Sequence, residues 1–259
     1  MDLGLRGRSA LITGASKGIG FAVAEELAKE GCAVILVARS AADLETAAVR
    51  VARHGTPVSF EAIDLSDSAA VDRLSDQHGR VDILVNNAGA IPAGRLQEID
   101  EARWRAAWDL KVFGYVNMTR RFYATMKARG HGTIVNIVGA AGERVDAGYI
   151  AGSSGNAALI AFTRALGGSS AADNVRVTGI NPGPVLTERL ETLLKSRATE
   201  AHGSPDRWRE FLSHLPFGRA AAPEEIGALA AFLASDLSGY TTGSMFTVDG
   251  GMGGRGAAY

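Results

Sequence analysis

Short apolar runs alternate with longer amphipathic stretches along the chain. Residues 9–13 (SALIT), 32–37 (CAVILV), 58–63, 81–85 (VDILV), 132–138 (GTIVNIV), 175–180 and 245–248 read as strands. Between them, residues 21–30, 41–53, 69–77, 103–129 and 156–169 read as helices. Near-continuous apolar strands separated by helices predict a parallel sheet covered on both faces. With right-handed crossovers, the pattern predicts an α/β fold: a Rossmann-like, doubly wound sheet of seven parallel strands flanked by helices. No boundary or repeat interrupts it, so residues 1–259 are expected to form one domain. The least regular stretch, 187–216, is polar, with Trp208, Phe211 and Leu212 at helical spacing. It is either a surface helix pair with one buried face or a mobile lid over a site. The Gly-rich residues 250–259 are expected to be flexible unless a partner subunit holds them.

Composition narrows the class. Hydrophobic residues at 46% and charged residues at 21% fit a globular protein with a large core and exclude disorder for most of the chain. A net charge of -1 gives no overall field to attract nucleic acid or an anionic membrane. The lone Cys32 excludes a disulfide framework and a four-cysteine zinc site. His54, His78, His131, His202 and His214 show no metal spacing, so no metal is expected. The opening residues lack the apolar core of a signal peptide and no run is long enough to span a bilayer, so a cytoplasmic location is expected. Lysines are few (Lys17, Lys29, Lys111, Lys127 and Lys195), which draws attention to any lysine near a site.

The chemistry begins at Thr13-Gly14-Ala15-Ser16-Lys17-Gly18-Ile19-Gly20, between the first strand and the first helix. Glycines let the backbone turn sharply and approach a phosphate, and the helix N-terminus beyond supplies free N–H groups. Together with Asn86-Asn87-Ala88-Gly89, Asn181-Pro182-Gly183, Pro223-Glu224-Glu225-Ile226 and Val248-Asp249-Gly250-Gly251, this turn resembles the short-chain dehydrogenase/reductase family over about residues 5–251. The resemblance implies a nicotinamide cofactor, held by Gly14, Ser16, Lys17, Gly18, Ile19 and Gly20 at the pyrophosphate. It places Asp64 and Leu65 at the adenine and Asn87, Ala88 and Gly89 at the ribose. Pro182, Gly183, Val185 and Thr187 then cover the nicotinamide. An NAD site carries a carboxylate near the end of the second strand, whereas this chain has Ala38-Arg39. Arg39 can pair with a 2′-phosphate and Lys17 adds a second cation, so NADP(H) is expected over NAD(H).

The usual catalytic Asn, Ser, Tyr and Lys of the family are all displaced. The asparagine position holds Lys111, the serine position Gly139, the tyrosine position Gly152 and the lysine position Asn156, when Asn156-Ala157-Ala158-Leu159 is aligned on the family's Lys-Ala-Ala-Leu. Anchoring on Tyr149 instead leaves Ser153 where the lysine belongs. Tyr149 lies about one helical turn before position 152, on a similar face. It either reaches the substrate or only shapes the pocket rim. Lys111 and Asn156 look like a reciprocal exchange that restores positive charge near the nicotinamide, with a lysine pKa lowered by burial. The other reading points Lys111 to solvent or a subunit interface. Tyr149, Lys111, Asn156 and Ser153 are therefore the candidate catalytic residues, although Ser153 and Ser154 can equally cap the helix. Arg144 meets either an anionic substrate or a loop ion pair.

The resulting expectation is hydride transfer between NADP(H) and a carbonyl or alcohol substrate, through non-standard catalytic residues. The alternative is a non-catalytic NADP(H)-binding sensor or partner subunit. Trp208, Phe211, Leu190 and Leu193 point to an apolar small-molecule substrate, and the family's habit implies a homotetramer or dimer, with no nucleic-acid or membrane partner.

Overall fold

The computed structural model describes residues 2–254. Seven parallel strands form one sheet in the order β3-β2-β1-β4-β5-β6-β7. They are β1 (Ser9–Thr13), β2 (Ala33–Ala38), β3 (Val58–Ala62), β4 (Ile83–Asn86), β5 (Gly132–Ile137), β6 (Val175–Pro182) and β7 (Met245–Val248). The helices are α1 (Gly18–Lys29), α2 (Ala41–Val51), α3 (Ser68–His78), α4 (Glu101–Trp108), α5 (Gly114–Arg129), α6 (Ile150–Ser170), α7 (Glu188–His202) and α8 (Pro223–Ala234).

Strand alternation sorts the core into two layers. Ala10, Ile12, Ile83 and Val85 pack with α1, α2 and α8 on one face. Leu11, Leu84, Ile134 and Val177 pack with Leu74 of α3 and Met118 and Phe122 of α5 on the other. This is the two-sided burial that the apolar runs predict. The chain moves outward from β1 to β3, then returns to β4 beside β1. Neighbouring loops therefore diverge between β1 and β4, and a crevice opens at the carboxyl ends of the strands.

A buried polar ladder braces the sheet beneath that crevice. The Asn86 amide donates to Asn136 Oδ1 (2.9 Å) and Thr119 Oγ1 (3.1 Å), and Asn136 Nδ2 donates to Thr163 Oγ1 (2.9 Å). Asn86 and Asn136 are register partners, so the bonds tie β4 to β5, α5 and α6 at one level. Arg176 of β6 gathers the carbonyls of Leu233, Ala234, Ser235 and Ser238 and the Thr133 hydroxyl, closing the end of α8.

The structure corrects several expected boundaries. The long helix expected over 103–129 is two helices joined by a π-helical turn, Asp109–Phe113, which contains Lys111. One extra residue in a turn shifts the register of the helix without erasing its amphipathic pattern. Helix α6 starts at Ile150, a few residues before Ser153 and Ser154, the capping candidates. Residues 187–216 form α7 and a 3₁₀ segment, Pro205–His214. Their apolar side chains Leu194, Ala198 and Trp208 pack with Leu190, Phe211 and Leu212 into a small core of their own. In the Gly-rich end, Asp249 accepts from the backbone of Gly251 and Gly253, while residues 255–259 lie outside the described residues. No described helix is long and apolar enough to cross a membrane.

Arg176→Met leaves four carbonyls and a hydroxyl without their donor. It is expected to destabilise the fold by about 3 kcal/mol, read as a lower urea midpoint with an unchanged denaturant slope.

Candidate active site

A cavity of about 1360 Å³ fills the crevice. That volume suits a dinucleotide together with a small substrate, since drug-sized ligands occupy about 300–1,000 Å³. Its wall is built from the ends of five strands: the turn after β1, Ala38 and Arg39 at β2, Asn87 to Gly89 after β4, Val138 and Gly139 after β5, and Pro182 and Gly183 at β6.

The glycine turn is locked from beneath. Thr13 Oγ1 accepts from the backbone N–H of Asn87 (2.8 Å) and Ala88 (3.0 Å), and Asn87 Nδ2 donates to the carbonyls of Thr13 and Gly14. Gly14 has φ +65°, and a Cβ there would lie 2.9 Å from Asn87 Nδ2. The α1 N-terminus has no side-chain cap and no acid in its first turn, so its N–H groups face the cavity wall unmatched. These residues fit a dinucleotide pyrophosphate. Arg39 is exposed on the wall and has no ion-pair partner among the described residues. Lys17 instead bonds Glu188 on α7 at 2.9 Å, which raises its pKa. Both partners of that pair are exposed, so Lys17 remains a second cation on the cavity wall, paired where Arg39 is not.

Most expected cofactor residues line the cavity: Gly14, Ser16, Lys17, Gly18, Ile19, Arg39, Leu65, Asn87, Ala88, Gly89, Pro182, Gly183 and Thr187. Three do not line it. Gly20 is buried inside the first turn of α1, where a Cβ would overlap the Gly14 carbonyl. Asp64 turns onto the Ser66 backbone N–H and hydroxyl, and the backbone bond foremost holds its pKa below the usual carboxylate range. Val185 is buried and bridges Ala221.

The catalytic candidates regroup around two glycines. A Cβ on Gly152 would overlap ring carbons Cε1 and Cζ of Tyr149. The Tyr149 ring thus fills the space directly above position 152. Its backbone is held by Tyr149 N–H to Asp146 O (3.1 Å) and by an isolated bridge to Gly94. Gly139 has φ +138°, and a Cβ there would lie 2.8 Å from Asn156 Nδ2. The Asn156 amide thus occupies the space where a side chain at position 139 would begin. Asn156 is buried, and its Oδ1 has no partner.

Lys111 runs its stem across Gly89, whose Cβ would meet the lysine Cδ at 2.8 Å, and donates from Nζ to Val138 O at 2.7 Å. It lines the cavity and is partly buried there. Burial first, and the nearby Arg189 guanidinium second, lower its pKa to about 8. Burial also pushes the Tyr149 phenol up, with Arg189 pulling it back. Arg189, in the first turn of α7, donates to Ile91 O at 2.6 Å. The sequence reading missed Arg189; its place follows from the docking of α7, and no motif marks it.

Ser153 is corrected. Its buried hydroxyl accepts from Asp146 N–H (3.0 Å) and returns a bond to Asp146 O (3.3 Å). It stitches the loop that carries Tyr149 and does not line the cavity. Arg144 lines the rim and donates to Met252 O, with no ion pair among the described residues. The expected apolar substrate also loses its basis, because Trp208, Phe211 and Leu190 pack on one another and not on the cavity wall. No metal-binding cluster occurs among the described residues.

The comparisons agree with this architecture. A family model described as enoyl-(acyl carrier protein) reductase matches residues 14–253. The oxidoreductase UcpA of Salmonella typhimurium is 35% identical over 252 residues, 95% of each chain. The crystal structure of L-sorbose reductase from Gluconobacter frateurii, complexed with NADPH and L-sorbose, superposes with a TM-score of 0.91 at 34% identity. It covers 98% of this chain and 100% of that one. An NAD+-bound xylitol dehydrogenase superposes at 0.87 with 27% identity, covering 95% of this chain and 99% of that one.

Lys111 is expected to titrate near pH 8, resolved by its ε-carbon NMR signal from the other lysines, which Lys111→Met identifies. The unfolded chain keeps the amine protonated up to the ordinary value of 10.5. The unfolded state therefore binds more protons between these values, and stability rises with pH across that window. Lys111→Met should remove that rise.

Proposed function

The chain belongs to the short-chain dehydrogenase/reductase family, and on that premise we propose that it is an NADP(H)-dependent reductase of a carbonyl compound, with a re-seated catalytic set. The observation that carries this reading is the Tyr149 ring above Gly152. The ring lies where a side chain at position 152 would begin, which supports Tyr149 as the phenol that the resemblance expects there.

When bound, NADPH supplies a hydride to the carbonyl carbon. Tyr149 donates a proton to the carbonyl oxygen; burial raises its pKa, so it enters the step protonated at neutral pH. Arg189 places positive charge beside the phenolate that the proton leaves behind, and Lys111, which lines the same cavity, adds to the positive field. Asn156 offers its amide N–H from the space beside Gly139, where it can orient the carbonyl oxygen. Residues 187–216 serve as a lid, joined to the body through Lys17–Glu188 and Arg189–Ile91.

Cofactor choice follows from Arg39. A guanidinium without an ion-pair partner at the end of β2 suits a 2′-phosphate, and no carboxylate stands at that position for a ribose hydroxyl. The non-catalytic alternative, a sensor or partner subunit, has less support, because a binder needs neither a phenol above Gly152 nor a cation beside it. We place the protein as a homo-oligomer in the cytoplasm by analogy with its family.

Tyr149→Phe is expected to cut kcat by at least ~100-fold while leaving NADPH affinity unchanged by fluorescence titration. Unchanged turnover would remove Tyr149 from the mechanism. Arg39→Ala should weaken NADPH about 10- to 100-fold and leave NADH binding as it was; equal losses for both would refute the 2′-phosphate contact.

A further inference from the structure

Lys111 and Arg189 line the cavity near Tyr149 without a carboxylate partner among the described residues, and Arg144 at the rim has none either. Lys111 donates to Val138 O, and Arg189 donates to Ile91 O and lies within reach of the Tyr149 hydroxyl. By contrast, Lys17 on the same wall is paired with Glu188. The acids of the wall are committed elsewhere. Glu188 holds Lys17, Asp249 holds the N–H groups of Gly251 and Gly253, and Asp146 Oδ1 holds Gly148 N–H. Asp43 lies on α2, at the Arg39 end.

The pair is not accounted for by the cofactor's 2′-phosphate. Arg39 follows β2 and Lys111 bonds the carbonyl after β5, and β1 and β4 lie between them. Three strand spacings separate these ends by about 14 Å. Like charges in a partly dry cavity disfavour each other, and the Arg189 guanidinium accordingly lowers the Lys111 pKa. An anion seated between them would relieve both. A guanidinium offers a carboxylate two parallel N–H bonds, and Arg189 has donors to spare beyond the one given to Ile91.

We propose that the substrate is a small oxo acid, whose carboxylate is seated on Arg189 with Lys111 beside it while its carbonyl faces Tyr149. This rests on the reductase reading above and names its substrate class. In the reaction, the carbonyl carbon gains a hydride and the oxygen gains the Tyr149 proton. The nicotinamide is oxidised, a hydroxy acid leaves, and one solvent proton restores the phenol. Arg189 has two tasks in this scheme, so its loss should lower kcat for acid and ester alike through Tyr149 and raise KM for the acid alone.

The test uses the NADPH-loaded protein with pyruvate, benzoylformate and acetoacetate, each against its methyl ester. Turnover is followed by loss of NADPH absorbance, and binding is measured separately by NADPH fluorescence in Tyr149→Phe. At least one acid should exceed its ester in kcat/KM by about 10- to 100-fold. Arg189→Gln should erase that preference through KM, and Arg189→Lys should restore part of it; thermal melts check that both variants are folded. Acids that bind in an Arg189-dependent way without turnover would support the anion site and sink the reductase reading. Esters preferred over acids, acid affinity unchanged in Arg189→Gln, or no binding of any acid would overturn the proposal.

Discussion

Two groups cannot fill one volume, and at the head of α6 that constraint decides the site. A side chain at position 152 and the Tyr149 ring exclude each other, as do a side chain at position 139 and the Asn156 amide. The two glycines are therefore conditions for the present arrangement, and they are not simply losses. With Gly152 the phenol can arrive from the loop; with Gly139 the amide can lean toward β5. Gly89 plays the same part for the Lys111 stem. At these three glycines, three side chains occupy or cross the space that a Cβ would take.

The electrostatics follow from the same packing. Lys111 lies in the π-helical turn between α4 and α5, and its ammonium ends on Val138 O at the mouth of β5. Burial makes that cation costly, and Arg189 adds to the cost. A cavity that keeps two such charges unpaired is poised to take up negative charge, whether a phenolate formed at Tyr149 or an anionic group on a ligand. The braced ladder of Asn86, Asn136 and Thr163 beneath fixes the strand ends from which these groups project.

Much of this was legible in the sequence, for physical reasons. Strands buried on both faces leave continuous apolar runs, and a phosphate turn needs glycines at fixed offsets, so the sheet and the glycine turn could be read directly. Lys111 and Asn156 were visible as displaced residues because the surrounding helix segments keep recognisable packing faces. The π-helical turn was hidden, since one added residue barely disturbs apolar periodicity. Arg189 was hidden because its role depends on where α7 docks. Trp208 and Phe211 showed that a face is buried, but periodicity does not say against what; they pack on each other. Ser153 looked chemical until its hydroxyl was seen to close the Asp146 loop.

The proposed mechanism has Lys111 support the Tyr149 phenolate across the cavity that both line, and the pH dependence of kcat for carbonyl reduction tests it most directly. With Lys111 charged, the phenolate that proton donation leaves is stabilised; above about pH 8 that charge is lost. The wild-type rate should fall as pH rises through that value, and in Lys111→Met the rate should be low throughout with that limb absent. A Lys111→Met enzyme with the wild-type rate and the same limb would contradict the exchange of roles.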